Sequence, residues 1–153
     1  MIGFVTGLAS EAKCLDAYMA NARVRVAGLG AGNAERCTHE LIAAGCRPLV
    51  SFGLAGGLAP DLVPGSVVIA DCVITPDGYA YPTDVSTTAR LLAALPNAVR
   101  RPIAGSDSVL ASPGNKAQLH ARTRAAAVDM ESHQIAKAAH QAGIGFVAIR
   151  AVR

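Results

Sequence analysis

Two carboxylates two residues apart, Asp129 and Glu131, stand in the stretch Val128-Asp129-Met130-Glu131-Ser132-His133, where an apolar run gives way to a helical pattern. Ala125 to Val128 read as a short buried strand, and beyond Glu131 the residues Ile135, Ala136, Ala138, Ala139 and Ala142 recur at helical spacing. Glu131 is therefore expected at a strand-to-helix junction, where ligands of open α/β sheets gather beside helix N-terminal amides. A carboxylate held there can accept two hydrogen bonds from a vicinal diol such as that of a ribose. The competing reading is that Asp129 and Glu131 cap the helix and complement its positive end. Glu11 has a similar setting, just beyond the strand Ile2-Gly3-Phe4-Val5-Thr6 and in the first turn of a helix that Ser10 can cap. It is either a general base facing a cleft or an acid complementing the helix dipole.

These acids need a scaffold, and the rest of the chain reads as one. Val24 and Val26 alternate with Arg23 and Arg25 as in a half-buried strand, followed by Gly28-Leu29-Gly30-Ala31-Gly32-Asn33 and a helix that Asn33 can cap. That loop suits an anion or a closely approaching substrate, yet it is not a dinucleotide fingerprint, because Asn33 takes the place of the last glycine. Pro48 to Phe52 form the next strand, with Gly53 to Gly57 as a glycine-rich turn after it. Ser66 to Ile74 form another strand, and Thr75 to Asp84 an irregular loop suited to a specificity flap or a subunit contact. Helices are expected from Ser86 or Thr87 to Pro96 and after Ser112-Pro113-Gly114, and a final strand over Phe146 to Val152. The alternation of strands and helices predicts an α/β fold: a single-domain, three-layer α/β/α structure around a central, largely parallel mixed sheet.

With 153 residues, 52% of them hydrophobic and none Trp, the chain can bury one core built from Ala, Val, Leu and Ile. A net charge of +3 with scattered basic residues gives no nucleic-acid stripe. Cys14, Cys37, Cys46 and Cys72 fit neither a CxxC pair nor a zinc ribbon, and they read as reduced thiols of a cytoplasmic protein. No targeting or membrane-spanning run is evident. His39, His120, His133 and His140 have no metal-ligand spacing, and no GxSxG elbow is present. Neither a metal nor another cofactor is called for.

Val128 to Ser132, followed by Phe146-Val147-Ala148-Ile149-Arg150-Ala151-Val152, resembles the nucleoside phosphorylase and nucleosidase superfamily. The branch it is most similar to is that of methylthioadenosine/S-adenosylhomocysteine nucleosidases and hopanoid-associated phosphorylases. Gly7 to Ala12, Gly53-Leu54-Ala55-Gly56-Gly57-Leu58 and Gly105-Ser106-Asp107-Ser108 agree in the same order. The resemblance implies cleavage of the N-glycosidic bond of a purine nucleoside, including an adenosyl group on a hydrophobic moiety such as a hopanoid. It places Glu131 on the ribose hydroxyls, Met130 against the sugar, Gly56 along the pocket and the Leu110 backbone beside the base, and it makes Glu11 the residue that activates water. It also implies a homo-oligomer.

The chain departs from that pattern in places. Glu11 needs a one-residue gap, Val109 replaces an aromatic that stacks on the purine, and Leu54 replaces a Ser. The Asp that protonates the purine is expected just beyond Arg153, which implies a domain over residues 1–153 that is truncated before its last elements and impaired by loss of its general acid. Two alternatives stay open. One is a phosphate-dependent phosphorylase using Arg23, Arg36 or Arg47, and the other is a nucleoside-binding module without catalysis.

Overall fold

Along the first strand, β1 (Ile2–Thr6), side chains alternate between two separate cores: Phe4 packs with Leu15, Val50 and Val147, whereas Val5 packs with Leu41, Leu49 and Phe146. A strand buried on both faces reads as a near-continuous apolar run, and the sheet around it must carry helices on each side. It does so in the computed structural model, which describes residues 1–17, 19–30 and 32–153. Ala31 of the expected glycine loop lies outside the described residues, as does Tyr18.

Helices α1 (Ala9–Asp16) and α3 (Val85–Ala94) cover one face through Leu15 and Leu91, and α2 (Asn33–Ala43) and α5 (Ser132–Gln141) cover the other through Cys37, Leu41, Ile135 and Ala139. A further helix, α4 (Pro113–Thr123), starts with Pro at its first position and Ser112 as its cap, as its sequence predicts. Its Leu119 packs on Leu58, Ala104 and Val128. The expected three-layer α/β/α architecture is present.

The remaining strands are β2 (Ala22–Val26), β3 (Leu49–Gly57), β4 (Val67–Ile69), β5 (Cys72–Ile74), β6 (Ala80–Pro82), β7 (Val99–Arg100), β8 (Ile103–Gly105), β9 (Ala127–Asp129) and β10 (Phe146–Val152). They run β6-β5-β8-β9-β3-β10-β4-β7, with β1 beside β3 and β2 beside β1. Most pairings are parallel; β10 with β4, β3 with β9 and β5 with β6 are antiparallel. The sheet is mixed and largely parallel, as expected.

Several local expectations change, and Asn33 is the first residue of α2 rather than its cap, a position held by Gly32. Gly53 to Gly57 do not turn but extend β3, because β10 pairs with this strand as far as Ala55 and β9 takes over at Gly56 and Gly57. The run Ser66 to Ile74 divides into β4 and β5, which join different neighbours, β10 and β8. The loop from Thr75 to Asp84 contains β6, whose Tyr81 ring lies 4.6 Å from that of Tyr79. Strand β3 is thus the hinge of the sheet: β1 pairs only with its beginning, from Leu49 to Ser51, and β9 only with its end. Between those contacts the backbone at Leu54 is free of both strands, and a cleft opens there.

Candidate active site

The carboxylate of Glu11 lies in that gap. Its Oε2 accepts hydrogen bonds from the backbone N–H of Gly7 (2.9 Å) and Leu8 (2.8 Å), and its Oε1 accepts one from Leu54 N–H (2.8 Å). The residue is 8% exposed. Two of those donors come from the short connection between β1 and α1, where Leu8 is the N-cap residue; Ser10 does not cap the helix, and Glu11 itself accepts from the N-cap amide as in half of a capping box. The third comes from the opposite strand. Three amides fix the orientation of the carboxylate and leave further lone pairs for a water.

Glu131 faces it across Gly7. A methyl group built on Gly7 would sit 2.8 Å from Glu131 Oε1 and 3.5 Å from Glu11 Oε2, so little more than the width of one methyl separates the two acids. At Gly53 a methyl would overlap the Glu11 carboxylate, 2.6 Å from Oε1. Glycine at these two positions makes room for the pair.

Glu131 occupies the N-cap position of α5 but makes no capping bond with its side chain, and among the described residues its carboxylate bonds no other side chain. Burial pushes its carboxyl above the usual carboxylate range, and the charge of Asp129 adds to this while Arg150 and the Met130 amide partly offset it.

Asp129 takes the capping role instead. Its Oδ1 accepts from Ser132 N–H at 3.0 Å, and its Oδ2 accepts from the Ser132 hydroxyl and from Arg150 Nε, the latter at 2.6 Å. Arg150 is 1% exposed, and its Nη2 also donates to Ser51 Oγ (2.5 Å) and Ser132 Oγ (2.9 Å). This network locks the end of β9 and the start of α5 to β10 and β3, and so fixes the segment that carries Glu131. Sequence reasoning passed over Ser51, Ser132 and Arg150 as partners. The available signal was an arginine amid the apolar run of the final strand, since such a charge must find a buried counter-ion.

Glu11, Gly56, Leu110, Met130 and Glu131 all line one cleft of about 260 Å³, near the lower end of the ~300–1,000 Å³ typical of ligand sites. Leu8, Leu29, Leu54, Val109, Lys116 and Arg153 complete much of its wall. A smaller hollow of about 160 Å³ adjoins it, sharing Leu29, Met130 and Glu131. Arg23, Arg36 and Arg47 are not among the residues lining either space; Arg36 pairs with Glu40 on the surface instead. Asp107 lies at the far side of the smaller hollow and bonds His133 Nε2 at 2.8 Å.

A mixed α/β sheet with two acids across a bare glycine in one cleft is the setting in which the relationship to known proteins becomes specific. The Phosphorylase superfamily model matches residues 18–153, and the chain belongs to that superfamily. Among solved structures, it is similar to the S-adenosylhomocysteine nucleosidase of Streptococcus pyogenes in complex with 5-methylthiotubericidin, with 23% identity over 99% of this chain and 82% of that one and a TM-score of 0.92. The 5′-methylthioadenosine/S-adenosylhomocysteine nucleosidase of S. pneumoniae, with a transition-state inhibitor, is 22% identical over 99% of this chain and 84% of its own, with a TM-score of 0.90. Futalosine hydrolase of Helicobacter pylori gives 20% identity, 99% and 83% coverage and a TM-score of 0.89. At these identities the likeness establishes the shared fold.

Proposed function

We propose that this protein cleaves the N-glycosidic bond of a purine nucleoside in the cleft between Glu11 and Glu131. The observation that carries the reading is the placement of two acids on either side of Gly7, one gripped by three backbone amides and the other bonded, among the described residues, to no neighbouring side chain. Breaking a glycosidic bond through an oxocarbenium-like state needs a group to steady the sugar and a base to activate the nucleophile. Glu131, pointing into the cleft without a competing partner, accepts from the ribose 2′- and 3′-hydroxyls, and Met130 packs against the sugar. Glu11 takes the proton of an attacking water as its oxygen bonds C1′. Gly56 and the Leu110 backbone border the base.

Hydrolysis is favoured over phosphorolysis because none of Arg23, Arg36 and Arg47 reaches the cleft. At its rim Leu8, Leu29, Leu54 and Val109 are exposed apolar side chains, Leu29 at 87% and Val109 at 75%. Apolar groups gathered at the mouth of a polar site support a nucleoside with a hydrophobic 5′ substituent, of which an adenosylated hopanoid is one.

Incubating the protein with adenosine and 5′-alkylated adenosine derivatives, with and without inorganic phosphate, and resolving base and sugar products tests this. Free base with free sugar, formed equally in both buffers, is the expected result. Base release that requires phosphate and yields ribose 1-phosphate would replace hydrolysis by phosphorolysis, and tight binding in calorimetry without turnover would reduce the protein to a binding module.

A further inference from the structure

The cleft has two ends of different chemistry. One holds the carboxylates of Glu11 and Glu131. The other is made of bare backbone at Gly56, the apolar side chains of Val128 and Leu110, and two cations, Lys116 from the first turn of α4 and Arg153, whose backbone N–H bonds the Ala55 carbonyl. A methyl built on Gly56 would lie 3.4 Å from Val128 Cγ1 and 3.5 Å from Lys116 Nζ, so the ammonium reaches across the cleft to the exposed face of β3. Among the described residues Lys116 forms no ion pair, although Arg25, Arg36, Arg101, Lys137 and Arg150 all do.

A flat heteroaromatic ring packs well on glycine backbone and branched apolar groups, so the base belongs at this end once the sugar is held at the other. We propose that Lys116 is a catalytic residue that meets the negative charge of the departing purine. The inference rests on the glycosidic reading given above. As the C1′–N bond breaks, its electron pair stays with the base. Nζ–H donates to a ring nitrogen carrying that charge, while water bonds C1′ and gives a proton to Glu11. The base takes up a proton from solvent and Glu11 returns one to it, so both residues end as they began. A preorganised cation aimed at charge that develops only in the transition state contributes about 10²–10³-fold in rate.

The test compares a neutral nucleoside with its N7-methylated cation, adenosine with 7-methyladenosine and inosine with 7-methylinosine, because a methylated base leaves without negative charge. In the full chain, Lys116→Met should lower kcat/KM for the neutral nucleosides about 10²-fold while changing the methylated ones less than about threefold. Lys116→Arg, which keeps the charge, should retain most of the rate. Equal losses on both kinds of substrate, no loss from Lys116→Met, or a Lys116→Arg variant as slow as Lys116→Met would overturn the assignment. If the unsubstituted protein released base from none of the four, the glycosidic reading itself would fall, and the role of Lys116 with it.

Discussion

Asp129 and Glu131 are two residues apart on the same strand-to-helix junction and carry the same chemical group, yet they have opposite environments. Asp129 is buried and its oxygens are taken up by Ser132 and Arg150, so its charge is matched within the protein. Glu131 faces the cleft, where burial raises its carboxyl above the usual range and, among the described residues, no side chain bonds it. One acid organises the scaffold, and the other faces the cleft. Strand alternation would place residues 129 and 131 on one face; the tasks divide because β9 ends at Asp129 and the chain has turned into the helical region by Glu131, the N-cap residue of α5.

The comparison breaks most severely through the buried partner. Replacing Arg150 by Met should cost about 3–5 kcal/mol, because it strands the Asp129 charge in the interior; denaturant unfolding measures this loss. Glu131→Gln should lower kcat/KM for a purine nucleoside by about 10²–10³-fold, since two charge-assisted hydrogen bonds to the diol disappear. The same change should make the protein more stable at neutral pH. The folded state holds a proton on Glu131 more readily than the unfolded chain does, so in the wild type stability falls as pH rises from the ordinary glutamate value through the raised one, and the Gln variant should not show that fall.

Activity of the wild type should accordingly be lost on the acid side at a higher pH than an ordinary glutamate would give, as a kcat/KM profile would record. A smaller effect is expected from Gly53→Ala, whose methyl would displace the Glu11 carboxylate; misplacement on this scale lowers the rate by up to ~10²-fold with nucleoside affinity largely kept. Least of all, Arg36→Ala removes only a surface pair with Glu40 and should leave turnover in phosphate buffer unchanged and stability within about 0.5 kcal/mol.

Much of the frame was legible because its signals are local. The strands Ile2–Thr6 and Phe146–Val152 appear with the bounds their apolar runs predict, and the Ser112-Pro113 start of α4 follows from capping and a fixed proline φ. What escaped depends on partners far away in sequence. Gly53 to Gly57 look like a turn to any local rule, and only the pairing of β10 and β9 along them makes a strand. The cleft-lining positions of Glu11, Gly56, Leu110, Met130 and Glu131 were reached through the family resemblance, since the pattern alone left capping and dipole roles open. The anchoring of Glu11 had no side-chain signature, because all three of its donors are main-chain amides.

That anchoring has a consequence for how such a protein can vary over time. Because the clamp on Glu11 is made by the chain's trunk at residues 7, 8 and 54, the side branches at 8 and 54 are at liberty to change, and a leucine at 54 serves the grip as well as a serine. Lineages can therefore remodel the mouth of the cavity for new passengers without loosening the acid at its floor.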